Sequence, residues 1–286
     1  MSTPVAEADI TVDLVRGLLA DQHPDLADLP VEPLAHGWDN ASFWIGKTLI
    51  ARLPRRGASA ALVVHEQRWL PGLAAHLPLP VPAPARTGLP ALGYPWPWSI
   101  VPYLPGRAAV HSSFDHNDAA SSLGAFLTAL HVPAPPDAPV NRFRGIPLAA
   151  RRDKDLGNLA ALDGLVDREA ALRVQADALD AKPWDGPPVW LHGDLHPANI
   201  LVDQGRISGV IDFGDLTSGD PATDLSVAWM LGVDLRDRYS RADDEDLWRR
   251  ARGWALAFGL VFSAHSADNP MMASIGRRTL DSLRVR

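Results

Sequence analysis

The chain has 286 residues, 47% apolar and 21% charged, a composition that builds a core in one large domain or two lobes and excludes wholesale disorder. Its formal net charge of −7, with no basic stripe, excludes a nucleic-acid binder, which needs cationic surface to neutralise phosphates. Cysteine is absent, which removes disulfides, thiolate nucleophiles and sulfur-ligated zinc together.

The opening "MSTPVAEADI" is acidic and lacks the basic-then-apolar order of a signal peptide. Residues 8–20 place Ile10, Leu14 and Leu18 at helical spacing and predict an amphipathic helix. From 31 to 53, "VEPLAH", "ASFWIG" and "TLIARLP" are short, partly alternating runs broken by turn residues, the pattern of an antiparallel meander. A helix is predicted over 58–76, kinked at Pro71. The proline-rich stretch 78–90 reads as a stiff loop, and "WSIVPY" (98–103) as one more strand. After Gly106 the pattern turns helical, with helices predicted near 115–131, 147–162, 166–180, 221–232, 244–266 and 271–284. The exception is 189–212, where "VWL", "NILV" and "ISGVIDF" read as strands. The longest apolar run, 254–264, is too short to cross a bilayer and reads as a buried helix; a cytoplasmic protein that contacts neither membrane nor nucleic acid is expected.

The chemistry gathers in "LHGDLHPANILVDQGRISGVIDFGD" (191–215). Carboxylates, histidines and an asparagine set among apolar runs are costly to bury unless something binds or reacts there. Phosphoryl transfer needs a carboxylate to orient or deprotonate a hydroxyl, oxygen ligands for magnesium, and a cation on the nucleotide phosphates. Asp194 followed five residues later by Asn199 offers the base and one ligand on one loop, and Asp212 in "IDFG" offers the second. The Asp-to-Asn spacing and the following D-F-G match the protein-kinase order. A rival pattern shares these residues: His192, Asp194 and His196, with Asp212 and His265, form the set of a dinuclear metal hydrolase. That reading leaves Asn199 and the D-F-G turn without a task.

The segment 191–229 resembles the aminoglycoside phosphotransferase family, the small-molecule branch of the protein-kinase-like fold. "IARLPRR", "HEQRWLPGLAAHLPLPVPAP" and "IVPYLPG" resemble its upstream elements and hinge, and the proline- and tryptophan-rich hinge region is most similar to macrolide phosphotransferases. The resemblance implies an α+β bilobal fold: a β-rich nucleotide-binding lobe over 1–101, a hinge at 102–106, and a larger helical lobe over 107–286. It implies Mg2+ with ATP or GTP as phosphoryl donor and a small-molecule hydroxyl as acceptor. Asp194 would be the base, Asn199 and Asp212 the metal ligands, and His192 and Asp224 supports of the catalytic loop, with Asp215 left between His192 and the metal loop. Arg52 would stand where such enzymes put a lysine on the phosphates, paired with Glu66; Arg55 and Arg56 compete for that role. Gly37, Asn40 and Ser42 would turn the chain over the phosphates, although "AHGWDNASFWIG" lacks the full glycine pattern. Ile100, Val101 and Tyr103 would face the base of the nucleotide.

The acceptor is the least legible part. His196 and Asp220 are readable as local caps. The six acids and three arginines of 234–246, with Trp229, Trp248, Trp254, Met230 and Phe258, predict a large, partly apolar acceptor of the macrolide or aminoglycoside kind. Choline-, homoserine- and sugar-kinase-like activities share the same catalytic loop and form the alternative.

Overall fold

The computed structural model describes residues 4–286. Helix α1 (Val12–Gln22) starts where Thr11 Oγ1 accepts from the Leu14 amide at 3.1 Å and buries Val15, Leu18 and Leu19. Of the residues expected inward only Leu18 is fully buried; Leu14 is half-buried and Ile10 precedes the helix, because the cap at Thr11 starts it later than expected. Strands β1 (Val31–His36), β2 (Asn40–Ile45) and β3 (Leu49–Pro54) form the expected meander. Along β2 the buried residues alternate, with Ala41, Phe43 and Ile45 inward, which fixes the register because a one-residue slip would expose them.

Helix α2 (Gly57–Ala74) runs through Pro71, which lies in its last turn. A short strand, β4 (Arg86–Gly88), forms inside the stretch expected to be loop, and β5 (Trp98–Pro102) completes a five-stranded antiparallel sheet in the order β1-β2-β3-β5-β4. Gly88 is demanded by packing: a Cβ there would stand 2.0 Å from the ring of the fully buried Trp98. Helix α1 and this sheet share one apolar cluster, distinct from the two that fill the second lobe, the larger of which takes in Leu70 of α2.

The second lobe begins with β6 (Arg107–Ala108) and α3 (His116–Leu130), the latter capped by Asp115. Then come α4 (Arg152–Ala161) and α5 (Arg168–Asp180), β7 (Val189–Leu191), β8 (Ile200–Asp203), β9 (Arg206–Val210) and β10 (Thr217–Gly219). The helix predicted over 221–232 is broken at Ser226 into α6 (Ala222–Leu225) and α7 (Val227–Leu231). Helices α8 (Glu245–His265) and α9 (Pro270–Ser282) pack against each other. The apolar run 254–264 lies within α8, where Trp254, Leu256, Phe258 and Leu260 are buried. No helix among the described residues is long and apolar enough to cross a membrane.

Two small sheets, β6-β8-β9 and β7-β10, carry the catalytic-loop segment between them. The predicted strand "ISGVIDF" stops at Val210 because Asp212 is left-handed, at φ 66°, a conformation a strand cannot contain. Asp220 caps α6 through the Ala222 amide, as its position before a helix predicts, and its carboxylate also pairs with Arg250 Nε at 2.7 Å. Both side chains of that pair are 6% exposed, so removing either partner costs about 3–5 kcal/mol.

Candidate active site

The loop between β7 and β8 takes its shape from one buried carboxylate. Asp224, 1% exposed, accepts from the His192 amide at 2.7 Å through Oδ2 and from the Gly193 amide at 2.9 Å through Oδ1. His131 Nε2 stands 3.3 Å from the same Oδ2. Gly193 has φ 84°, and a Cβ there would lie 2.3 Å from the Asp215 carbonyl oxygen. The H-G-D spelling is therefore steric: only glycine fits between the loop and the D-F-G turn.

His192 bridges the same two segments. Its Nε2 donates to the Ile211 carbonyl at 3.0 Å and its Nδ1 accepts from the Asp194 amide at 3.2 Å. With both ring nitrogens bound to backbone, His192 has none left for a metal, and His265 lies with Asn158 instead, at 2.8 Å. The dinuclear-metal reading thus loses two of its ligands to hydrogen bonds that have other partners.

Asp194 projects from this loop with each oxygen engaged: Oδ1 accepts from Arg144 Nη2 at 3.0 Å, and Oδ2 lies 3.3 Å from His196 Nε2. Burial opposes the ionised form, but His196 and Arg144 outweigh it and hold the carboxyl well below its ordinary range. His196, readable in sequence as a local cap, does accept from the Ala198 amide at 3.3 Å, and its other nitrogen faces the carboxylate. Asn199 donates through Nδ2 to the Asp194 carbonyl at 3.0 Å, which directs its side-chain oxygen away from the loop. The Ile211 amide donates to the Asn199 carbonyl at 2.9 Å, so Asn199 and Asp212 are drawn together across β8 and β9.

This pair fits a magnesium ion. The Asn199 amide oxygen and the Asp212 carboxylate, 58% exposed, are hard oxygen donors, and magnesium is commonly held by one or two protein oxygens with phosphates and water completing the octahedron. Among the described residues no cluster of three or more His, Asp or Glu forms an all-protein cage.

Arg52 on β3 meets Glu66 on α2, Nη1 to Oε2, at 2.7 Å, and its Nη2 stands 3.6 Å from Asp212 Oδ1. Glu66 is 3% exposed. Burial raises its pKa against the pull of Arg52. Arg55 and Arg56, the sequence-level competitors for Arg52, are committed elsewhere: Arg55 Nη1 donates to the Gly37 carbonyl at 2.9 Å, and Arg56 Nη2 to Asp39 Oδ1 at 2.9 Å. Both therefore brace the 37–40 turn.

A cavity of ≈ 400 Å³ opens between this turn and the hinge, lined by Gly37, Trp38, Asn40, Ser42, Arg52, Val101, Tyr103, Leu201 and Asp212 among others. It brings together the predicted Gly37, Asn40, Ser42, Arg52, Val101 and Asp212. Ile100 is not among the lining residues. It is fully buried in the sheet, and its carbonyl accepts from the Ala85 amide at 2.8 Å. Tyr103 lines the cavity, but its amide donates to the Thr48 carbonyl at 2.8 Å. Two of the backbone groups expected for a nucleobase are thus consumed by the sheet, because β5 extends to the hinge.

Asp215 accepts from Asn141 Nδ2 at 2.7 Å and lies 4.0 Å from Arg144 Nε. Burial first, then the charge of Asp194, raises its pKa. Arg144 and Asn141 were not legible in sequence; they lie in an irregular segment without motif, 50 residues before Asp194 and 74 before Asp215 respectively. Among the acids of 234–246, Asp244 caps α8, Glu245 pairs with Arg236, and Asp246 with Arg249. Trp248, Trp254, Met230 and Phe258 are core. Trp229, the one half-buried member of the set, and Trp248 nevertheless line a cavity of ≈ 810 Å³ together with Asp234 and Glu245.

Residues 30–254 match the phosphotransferase enzyme family. The chain is 28% identical over 183 residues to the aminoglycoside 3'-phosphotransferase of Streptomyces fradiae, a match covering 62% of this chain and 65% of that protein, so it spans slightly less than two thirds of that relative. It is 30% identical over 250 residues to the homoserine kinase of Phenylobacterium zucineum, covering 79% and 72%. Among solved structures, the GDP complex of aminoglycoside 2'-phosphotransferase-IIIa superposes with a TM-score of 0.67 at 20% identity, covering 96% of this chain and 99% of that one. The macrolide 2'-phosphotransferase of Brachybacterium faecium superposes at 0.62 and 23%, covering 94% and 97%. These likenesses establish the bilobal kinase-like fold, and the match over 30–254 shows that the chain belongs to the phosphotransferase enzyme family.

Proposed function

We propose that the protein transfers the γ-phosphoryl group of ATP or GTP to a hydroxyl of a small molecule in the cytoplasm. The observation that carries the reading is the convergence of Asp194, the Asn199–Asp212 oxygen pair and the Arg52–Glu66 ion pair beside the ≈ 400 Å³ cavity. In this reading residues 1–101 hold the nucleotide, 102–106 form the hinge, and 107–286 carry the catalytic loop and the acceptor.

Asp194 orients the acceptor hydroxyl and takes its proton. The hydroxyl oxygen bonds to the γ-phosphorus as the bond from that phosphorus to the β,γ-bridging oxygen breaks, and the electron pair leaves with the nucleoside diphosphate. Asn199 and Asp212 would hold magnesium, which would neutralise phosphate charge. Arg52, kept straight by Glu66, forks onto the phosphates. Gly37, Asn40 and Ser42 cover them, while Val101 and Tyr103 flank the base. His192, Asp215 and Asp224 keep the loop in shape. Catalysis is then mainly positioning and charge neutralisation.

For the acceptor, the likeness to aminoglycoside and macrolide phosphotransferases supports an antibiotic-like molecule. A metabolic alcohol is the second reading, favoured by 30% identity over 250 residues to a homoserine kinase. The test is a magnesium-dependent phosphotransfer assay with product mass, run with ATP and GTP over antibiotics and small alcohols. Asp194→Asn is expected to lower turnover about 10²–10⁴-fold with nucleotide affinity nearly unchanged. Loss of affinity in parallel with turnover, or full turnover in the variant, would remove Asp194 as base.

A further inference from the structure

The stretch 142–154 carries Arg142, Arg144, Arg151, Arg152 and Lys154 against Asp153 alone, in a chain of net charge −7. Three of these cations, Arg144, Arg151 and Lys154, crowd together, and Arg144 among them meets Asp194. Arg144 bonds Asp194 and stacks its guanidinium 4.8 Å from the Phe258 ring. Arg151, 3% exposed, donates to the Phe143 carbonyl at 3.1 Å, and Lys154 Nζ sits 4.9 Å from the Phe143 ring. Burial, then Arg151 and Arg144, depress the Lys154 ammonium, as expected where like charges crowd. The buried Nε atoms of Arg144 and Arg151 find no hydrogen-bond acceptor among the described residues. The carboxylates nearby are already engaged: Asp194 and Asp215 with Arg144, Asp155 with Arg151 at 3.3 Å. Polycations need free carboxylates; this rim has spare cationic donors instead.

We infer that Arg144, backed by Arg151 and Lys154, binds a carboxylate on the acceptor next to the hydroxyl that is phosphorylated. This rests on the phosphotransferase reading and decides between its acceptor classes in favour of hydroxycarboxylates. It also explains why the base is covered. An acceptor carboxylate takes the guanidinium fork bidentately, and Asp194 Oδ1, released from Arg144, becomes free to accept the hydroxyl proton. The proton moves from the acceptor oxygen to Asp194 as the new O–P bond forms, and the acceptor carboxylate stays unchanged.

The experiment compares glycerate, 4-hydroxybutanoate and L-homoserine with their methyl esters, kanamycin and a macrolide. Each is incubated with magnesium and ATP or GTP, and product mass, kcat/KM and nucleotide hydrolysis are read together. The free acids are expected to be phosphorylated with kcat/KM at least about tenfold above the esters and antibiotics, the scale of one charge-assisted contact. Arg144→Gln should raise KM for the acids about 10–100-fold and erase the preference, while Arg144→Lys recovers part of it. A best acceptor without an anionic group, no phosphorylated acid, or a preference unchanged in a folded Arg144→Gln overturns the inference. Magnesium-dependent hydrolysis or transfer to kanamycin persisting while the acids fail sinks this inference alone. Absence of nucleotide turnover with every acceptor sinks the phosphotransferase reading with it.

Discussion

Replacing Asp224 by Asn measures how far the catalytic loop depends on the carboxylate behind it. His192 Nε2 faces Ile211, so the loop's orientation depends on the two amides that Asp224 receives, at 2.7 and 2.9 Å. Asparagine has one oxygen. The position now held by Oδ2 receives both the His192 amide and His131 Nε2, so the oxygen is expected there, and the Gly193 amide would face an NH2 donor. Losing one charge-assisted bond and stranding a buried N–H costs about 2–4 kcal/mol. For a chain of this size that lowers Tm by about 3–7 °C. Asp194 follows Gly193 directly, and a displacement on the order of 1 Å at a reacting group costs about 10²-fold in rate. Tm by calorimetry and kcat by product formation, on the same preparation, are expected to fall together. A variant within about 2 °C of wild type with full kcat would refute the reasoning, and a lower Tm with full kcat would reduce Asp224 to a packing residue.

Glu66→Gln leaves Arg52 with Asp212, 3.6 Å away, as its nearest carboxylate, so nucleotide KM should rise about tenfold; steady-state kinetics showing less than a twofold change would argue against the pair. Gly193→Ala puts a methyl 2.3 Å from the Asp215 carbonyl at φ 84°, and urea unfolding should show a loss of about 1–3 kcal/mol or more, with activity reduced. Burial raises the Asp155 carboxyl from 3.8 to about 6. The folded chain then binds a proton that the unfolded chain has released, so this group's contribution to stability falls as pH rises from about 4 to 6. Wild type should therefore lose on the order of 2 kcal/mol relative to Asp155→Asn between pH 4 and 7, read from urea titrations; a pH-independent difference would contradict the burial assigned to it.

The local rules that make an element also write it in one dimension. The meander of β1 to β3, the cap at Asp115 and the helix over 254–264 were all legible because alternation, cap chemistry and apolar length act within a few residues. The order Asp194, Asn199, Asp212 was legible for a related reason. One loop and one turn carry all three, so their spacing survives in the sequence. Other features depend on segments far apart in the chain, which leave no periodicity. Arg144 reaches Asp194 across fifty residues, His131 reaches Asp224 across ninety-three, the Tyr103 amide is spent on the Thr48 carbonyl, and the Ile100 carbonyl on the Ala85 amide. The fate of the acids in 234–246 was hidden in the same way, since only folded neighbours decide whether a carboxylate caps, pairs or waits for a ligand. The sequence by itself thus determined the two-lobe plan and the spacing of Asp194, Asn199 and Asp212. Tertiary structure alone decided which charges surround the base, because Coulomb forces follow distance in space and not separation along the chain.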